Sequence, residues 1–300
     1  MEIRILKLPY NAHGKGKGGA AGPDALVQSG LLEEMRAQGH LVDVGSVELT
    51  PAEEASYGGW QRVGLANGHL ADLVAEARLQ NRFVVGLLSD CNGVLGMLGG
   101  LQRSDHPSWP ERVGLVWIDA HGDYNTPETS PSGMLGGMPV AVAAGKALSR
   151  LRQASQLKLP LQSPDIIMAG LRDLDPAERE QIEQDGLTTH SETELIAVSP
   201  AFRESVTRLA AREDLIYVHV DLDILDPEVA PAAGLPSKGG LTGEQLGGVL
   251  AWLLAQPKAA ALAFVSYRAE DDSDGGTLAQ VRRALLMATA ALHRSDSVTK

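Results

Sequence analysis

Cysteine is almost absent: the 300-residue chain holds one, Cys91. A lone thiol excludes an intrachain disulfide framework and fits a reducing compartment. Aromatic residues are scarce at 4%, so the 44% of apolar residues must build a core from Leu, Val, Ala and Ile. There is no basic run, and a formal charge of −12 argues against a partner recognised through its phosphate backbone. No stretch approaches the ~18 apolar residues of a membrane span. The opening MEIRILKLPYNAHG is a short strand-like run without the apolar region of a signal peptide. The expectation is a cytoplasmic protein that binds neither nucleic acid nor membrane.

What is present is a repeating alternation. Short apolar runs occur at 3–8, 41–44, 83–88, 113–118, 166–169, 215–220 and 259–265. They are mostly continuous rather than alternating, as in strands buried on both faces of a parallel sheet. Helix-length segments lie between them at 23–38, 61–80, 199–212, 242–254 and 276–293, the first opening on Pro-Asp and stopping at Gly39. This order predicts one α/β domain over 1–294, doubly wound or barrel, with a frayed tail at 295–300. Long loops at 125–139 and 227–240 follow strands closely, and ligands bind at the carboxyl ends of parallel strands.

Two aspartate clusters stand at such strand ends. LVWIDAHGDYN places Asp119, His121 and Asp123 at i, i+2 and i+4, which share one side if the backbone stays extended. YVHVDLDILDP does the same with Asp221 and Asp223, and Asp226 opens the following loop before Pro227. Four carboxylates at two strand mouths repel one another without a cation between them. Asp226 reads as an acceptor for loop amides; the other four, with His121, read as a divalent-metal site. Oxygen-rich ligands with a histidine favour Mn, then Zn, Fe or Mg. So many carboxylates suit two ions with bridging ligands, a setting that turns a shared water into a nucleophile near neutral pH.

DAHGDYNTPETSPSG followed by HVDLDILDP resembles the ureohydrolase family of arginases, agmatinases and formiminoglutamases. KGKGGAAGPDALVQSGL, GLRDLDPAE and PAAGLPSKGGLTGEQL extend the resemblance over nearly the whole chain. It implies an arginase-like three-layer α/β/α fold on a mostly parallel sheet of about eight strands. It also implies a binuclear Mn2+ site and hydrolysis of a non-peptide C–N bond in a small guanidino or amidine compound by metal-bound hydroxide. By matching position, Asp119, His121, Asp123, Asp221 and Asp223 would be metal ligands, with His121 and Asp123 also part of the catalytic apparatus. Relatives generally form trimers or hexamers, so a homo-oligomer is implied.

The departures are informative. The family's remaining ligand is a histidine in a GGDHS-like turn, where LSDCN puts Cys91. A thiolate ligand shifts preference from Mn toward Zn, Fe or Co and makes the site sensitive to oxidation. The other reading of Cys91 is a small buried apolar residue at a helix start. In place of an arginase-like SGNLHG loop the chain has SGMLGG, so Met134 and Gly136 replace an asparagine and the proton-shuttle histidine. Where an EVNP-like turn supplies the carboxylate that holds a guanidinium, FVSYRAEDD supplies Ser266, with Arg268 and Glu270 beyond it. Asn125 and Ser132 match contacts to the substrate's α-carboxylate and Asp175 a contact to its α-amino group; turn chemistry is the alternative for each. His13 is the candidate replacement shuttle and His219 a supporting group, while His40, His69, His106, His190 and His293 fall outside every motif. These features predict an amidinohydrolase that is not a typical arginase. The competing expectation is a family member serving as a binding or regulatory protein.

Overall fold

The computed structural model describes residues 1–103 and 111–292; His106, His293 and the tail at 295–300 lie outside the described residues. The chain runs β1 (Glu2–Leu8), a short antiparallel hairpin of β2 (Tyr10–Asn11) and β3 (Gly14–Lys15), β4 (Leu41–Ser46), β5 (Phe83–Leu88), β6 (Val113–Ile118), β7 (Ile166–Ala169), β8 (Thr188–His190), β9 (Leu215–Asp221) and β10 (Ala259–Val265). Apart from the hairpin, these strands form one eight-stranded sheet in the order β4-β1-β5-β10-β9-β6-β7-β8. Every pairing in it is parallel. The sheet is open, with β4 and β8 as edges, so the fold is doubly wound and not a barrel.

Successive residues of each strand feed opposite cores. In β6, Leu115 and Trp117 join one apolar cluster while Val116 and Ile118 join the other. In β9, Tyr217 points to the first cluster and Val218 and Val220 to the second. With both faces dry, the strands read in sequence as unbroken apolar runs. Helices Gly59–Leu79 and Val94–Leu101 cover the first face. Helices Pro200–Arg212, Gly243–Leu254 and Gly276–Ala290 cover the second, completing three layers. No helix among the described residues is long and apolar enough to cross a membrane.

One expectation needed revision, and one strand had gone unread. The 23–38 segment is not one helix but two, Gly22–Gln28 and Leu31–Ala37, because Gly30 adopts φ +85°, a left-handed conformation that ends a helix. The short edge strand β8 carries Thr188, Thr189 and His190 and shows no apolar run for a sequence reading to find.

The topology concentrates four loops. From β5 the chain skips to β6, then returns through β9 and β10 into the gap, so β5, β10, β9 and β6 lie side by side. Their carboxyl ends form one edge, where loops far apart in sequence meet. The β5 loop is held by a tight helix pair. A Cβ at Gly96 would stand 2.6 Å from the backbone oxygen of Asn67, and one at Gly100 would stand 2.5 Å from that of Ala71. Only glycine permits this approach of Val94–Leu101 to Gly59–Leu79, and Asn67 Oδ1 accepts from the Gly96 N–H at 3.0 Å.

Candidate metal centre

Each of the four central strands delivers a polar residue to the same edge. Asp119 directly follows β6, Asp221 ends β9, Ser266 directly follows β10, and Cys91 opens a 3-10 turn, Cys91–Gly93, just past β5. The aspartates converge by a different local route from an extended strand. β6 stops at Ile118, and Asp119 Oδ1 accepts from the His121 N–H at 2.6 Å, turning the chain at once. Asp123 then sits at φ +49°, its carbonyl accepting from Val140 N–H at 3.0 Å. At β9, Asp221 Oδ1 accepts from the Asp223 N–H at 3.0 Å and starts the 3-10 turn Leu222–Ile224. Aspartate favours such self-made turns, so the side chains meet through turns and not through the pleat.

The resulting cluster has two overlapping halves. Ligand atoms of Cys91, Asp119 and Asp123 all lie within 4.8 Å of one another, as do those of Asp119, His121 and Asp223. Asp119 belongs to both. Cys91 Sγ is 2.8 Å from Asp221 Oδ2 and 3.8 Å from Asp119 Oδ2. His121 Nδ1 is 3.1 Å from Asp223 Oδ2 and 3.5 Å from Asp119 Oδ1. The Ser266 hydroxyl donates to Asp221 Oδ2 at 2.6 Å.

Electrostatics show what the cluster lacks. All four aspartates are buried. Burial first, and then repulsion from one another, pushes the carboxyls of Asp119 and Asp123 well above the ordinary range. Burial, followed by the charge of Asp223, raises Asp221 to about 7. Burial and the charges of Asp221, Asp123 and Asp119 push the Cys91 thiol up. Burial works against protonation of His121, but hydrogen bonds to Asp119 and Asp223 and their charges carry it to about 12. One imidazolium cannot offset four buried carboxyls, whereas a divalent cation among them would reverse the carboxyl shifts. Two carboxylates with a sulfur in one group, and two carboxylates with an imidazole in the other, each within 4.8 Å, form donor sets that fit such an ion.

The sequence profile of the Arginase family matches residues 1–291. This chain belongs to the arginase family. It is similar to an arginase of Bacillus caldovelox, 32% identical over 249 residues that cover 80% of this chain and 82% of the relative. It is also similar to arginase-1 of Sus scrofa, 32% identical over 254 residues, covering 80% and 76%. The solved Bacillus caldovelox arginase superposes with a TM-score of 0.82 at 28% identity, covering 96% of this chain and 98% of that one. Entamoeba histolytica arginase in complex with L-ornithine superposes with a TM-score of 0.83 at 25% identity, covering 96% and 97%. The arginase-like fold and its eight-stranded parallel sheet are thus shared along nearly the whole chain.

In this arginase-family chain Cys91, His121, Asp123, Asp221 and Asp223 of the cluster line a cavity of about 420 Å3 that His13, Asn125, Ser132 and Asp175 also line. His13 is exposed on the rim, its N–H donating to Asn11 Oδ1 at 2.9 Å. Asn125 Nδ2 donates to Asp175 Oδ2 at 3.0 Å, and Asn125 Oδ1 accepts from Thr129 Oγ1 at 3.0 Å. Ser132 is exposed, and its Oγ accepts from the Met134 N–H at 3.2 Å. His219 is outside the cavity, fully buried behind Asp221. It stacks on Trp117 at 4.2 Å, its Nδ1 lies 2.7 Å from Tyr217 Oη, and burial holds its pKa down to about 3. Glu270 sits in the turn Ala269–Asp271 near Arg268 and is not part of the cavity wall. Asp226 Oδ1 accepts from the Glu228 N–H at 2.9 Å, a loop contact as expected.

Sequence reasoning passed over two groups here. Glu178 is buried in the cavity wall, accepting from the Tyr124 N–H at 2.8 Å and the Asp175 N–H at 3.3 Å. The spacing in Asp-Pro-Ala-Glu signals a helix start and gives no hint of the cavity. Arg172 Nη2 donates to the Asp223 backbone oxygen at 2.6 Å, pinning the second aspartate loop. An arginine that reaches a loop carbonyl 51 residues away leaves no pattern to read.

Proposed function

We propose that this protein is a metal-dependent hydrolase of a non-peptide C–N bond in a linear guanidino or amidine compound, distinct from a typical arginase. The observation that carries the reading is the pair of donor groups that share Asp119 and whose other members, Cys91, Asp123, His121 and Asp223, line one cavity. Cys91, Asp119, Asp123 and Asp221 would hold one ion, with Asp119, His121 and Asp223 holding a second. Two Mn2+ are the family expectation, and the sulfur of Cys91 opens the site to Zn, Fe or Co. Bound ions would supply Lewis acidity and a water acidified to near-neutral pH.

The chain's own residues do the rest. Arg172 and the Ser266 hydroxyl fix the carbonyl of Asp223 and the carboxylate of Asp221, so the donors are set before substrate arrives. His121 and Asp123 orient the reacting centre. His13, the other imidazole lining the cavity, would pass a proton to the departing nitrogen. Asn125, Ser132 and Asp175 line the same cavity and are its candidate substrate-binding side chains. In the net reaction, oxygen from water ends on the amidine carbon. The C–N bond breaks with its electron pair going to nitrogen, and the amine leaves with a proton. Gly136 replaces a shuttle histidine and Ser266 a guanidinium-binding carboxylate, so L-arginine is expected to be a poor substrate; loss of a general acid alone costs about 10²–10⁴-fold.

The test is release of amine, ammonia or urea from a panel of guanidines, amidines and formimino compounds, using protein loaded separately with Mn, Zn, Fe and Co. Turnover that disappears in Asp223→Asn supports the reading. No turnover with any metal would overturn it and favour a binding or regulatory role, which the coincident changes at Cys91, Gly136 and Ser266 also suit. A homo-oligomer, trimer or hexamer, is proposed from family membership and is read by sedimentation.

A further inference from the structure

Several polar groups of the cavity wall already have partners within the protein. Asn125 and Asp175 are bonded to each other at 3.0 Å, Thr129 takes up the Asn125 carbonyl, and the Ser266 hydroxyl donates to Asp221. Among the described residues no lysine or arginine lines the cavity to receive a carboxylate. The mouth, in contrast, carries two large apolar side chains from different loops. Met134 and Leu235 line it while keeping 46% and 53% of their surface exposed. Beside Met134 the backbone leaves room: a Cβ added at Gly136 would meet only Met134 Cγ, at 3.9 Å, and one at Gly137 would meet nothing within 4 Å. The wall is therefore roomy and apolar where Met134 and Leu235 stand, and among its remaining polar groups the unpartnered Asn92 Oδ1 and the exposed carboxylate of Asp173 offer nothing to a substrate carboxylate.

We propose that the non-reacting end of the substrate is an apolar alkyl or aryl group, seated against Met134 and Leu235 beside Gly136 and Gly137, in place of a charged amino-acid head. This rests on the hydrolase reading above and specifies its substrate as an N-alkyl or N-aryl guanidine or amidine. Water supplies the oxygen that ends on the amidine carbon. The bond from that carbon to the substituted nitrogen breaks, and the apolar amine leaves with the electron pair and a proton. Burying each methylene of the tail gives about 0.8 kcal/mol, or about fourfold in kcat/KM.

The experiment compares n-alkylguanidines from methyl to hexyl with L-arginine on metal-loaded protein. Calorimetry with the matching n-alkylamines reads binding independently of turnover. The expected result is about a fourfold rise in kcat/KM per methylene over the first few carbons, parallel tightening of amine binding, and a flatter slope in Met134→Ser and Leu235→Ser. Turnover without chain-length dependence, with L-arginine preferred, overturns this inference and leaves the hydrolase reading intact. Amine binding that tightens with chain length but no turnover overturns the hydrolase reading and keeps the apolar subsite. Neither turnover nor length-dependent binding sinks both.

Discussion

Cys91 Sγ lies 2.8 Å from Asp221 Oδ2, although the two are 130 residues apart in sequence and their strands are separated in the sheet by β10. The contact joins the β5 turn to the carboxylate cluster, and it is made by a thiol whose proton burial and neighbouring charge retain. An ion held by that sulfur and the raised carboxyls would need them deprotonated, so its binding would be linked to proton release.

Metal affinity should therefore rise with pH. Asp221 is held up to about 7, and Asp119, Asp123 and Cys91 are also raised, so below neutrality the ion competes with bound protons. Titration calorimetry in buffers of different ionisation enthalpy should register release of about one proton or more per ion at pH 7. Equal apparent enthalpies in all buffers would exclude the linkage.

Ser266 has the role of holding Asp221. Ser266→Ala removes the 2.6 Å hydrogen bond to Oδ2 and leaves that carboxylate free to rotate. The expected outcome is about 10-fold weaker metal binding with little change in the melting temperature of the metal-free protein. Unchanged affinity would show that the hydroxyl is incidental to the site.

A second titration lies away from the cavity. Glu213 is buried, and burial followed by the charge of Asp165 raises its pKa to about 7. A carboxyl raised above its unfolded value gives stability that is complete below the unfolded pKa and lost as pH rises through the folded one. Glu213→Gln stays neutral, so the variant should gain on the native protein by on the order of 2 kcal/mol between about pH 5 and pH 8. Parallel urea-unfolding stabilities across that range would refute the assignment.

The close helix pair offers a packing test. Gly96→Ala places a Cβ 2.6 Å from the backbone oxygen of Asn67, which cannot move without disturbing Gly59–Leu79. The expected loss is about 1–3 kcal/mol in denaturant unfolding. An alanine at Gly137, where nothing lies within 4 Å, should cost far less.

The parts of this architecture legible in sequence are those with a strong local signal. Strands with both faces buried read as apolar runs because nothing polar interrupts them, and the aspartate pairs were visible because like charges at i, i+2 make no sense in a core. Strand β8 was not legible, since a short edge strand needs no apolar pattern, and the break at Gly30 depends on one positive φ. The convergence of Asp119, His121 and Asp123 was legible while its cause was not: hydrogen bonds that Asp119 and Asp221 accept from their own loops replace the extended backbone that spacing suggests. Arg172 and Glu178 act through backbone groups distant in sequence, which no one-dimensional pattern encodes.

The central claim is that Cys91 and the aspartates form a metal site. Its most direct test is the metal content of protein purified without oxygen, measured by mass spectrometry for Mn, Zn, Fe and Co alongside Cys91→His. The account predicts about two equivalents in the native protein, with a shift toward Mn in the variant as a soft sulfur gives way to imidazole. Less than about half an equivalent under every loading condition would contradict it, because a buried set of this kind should not leave its carboxyls uncompensated.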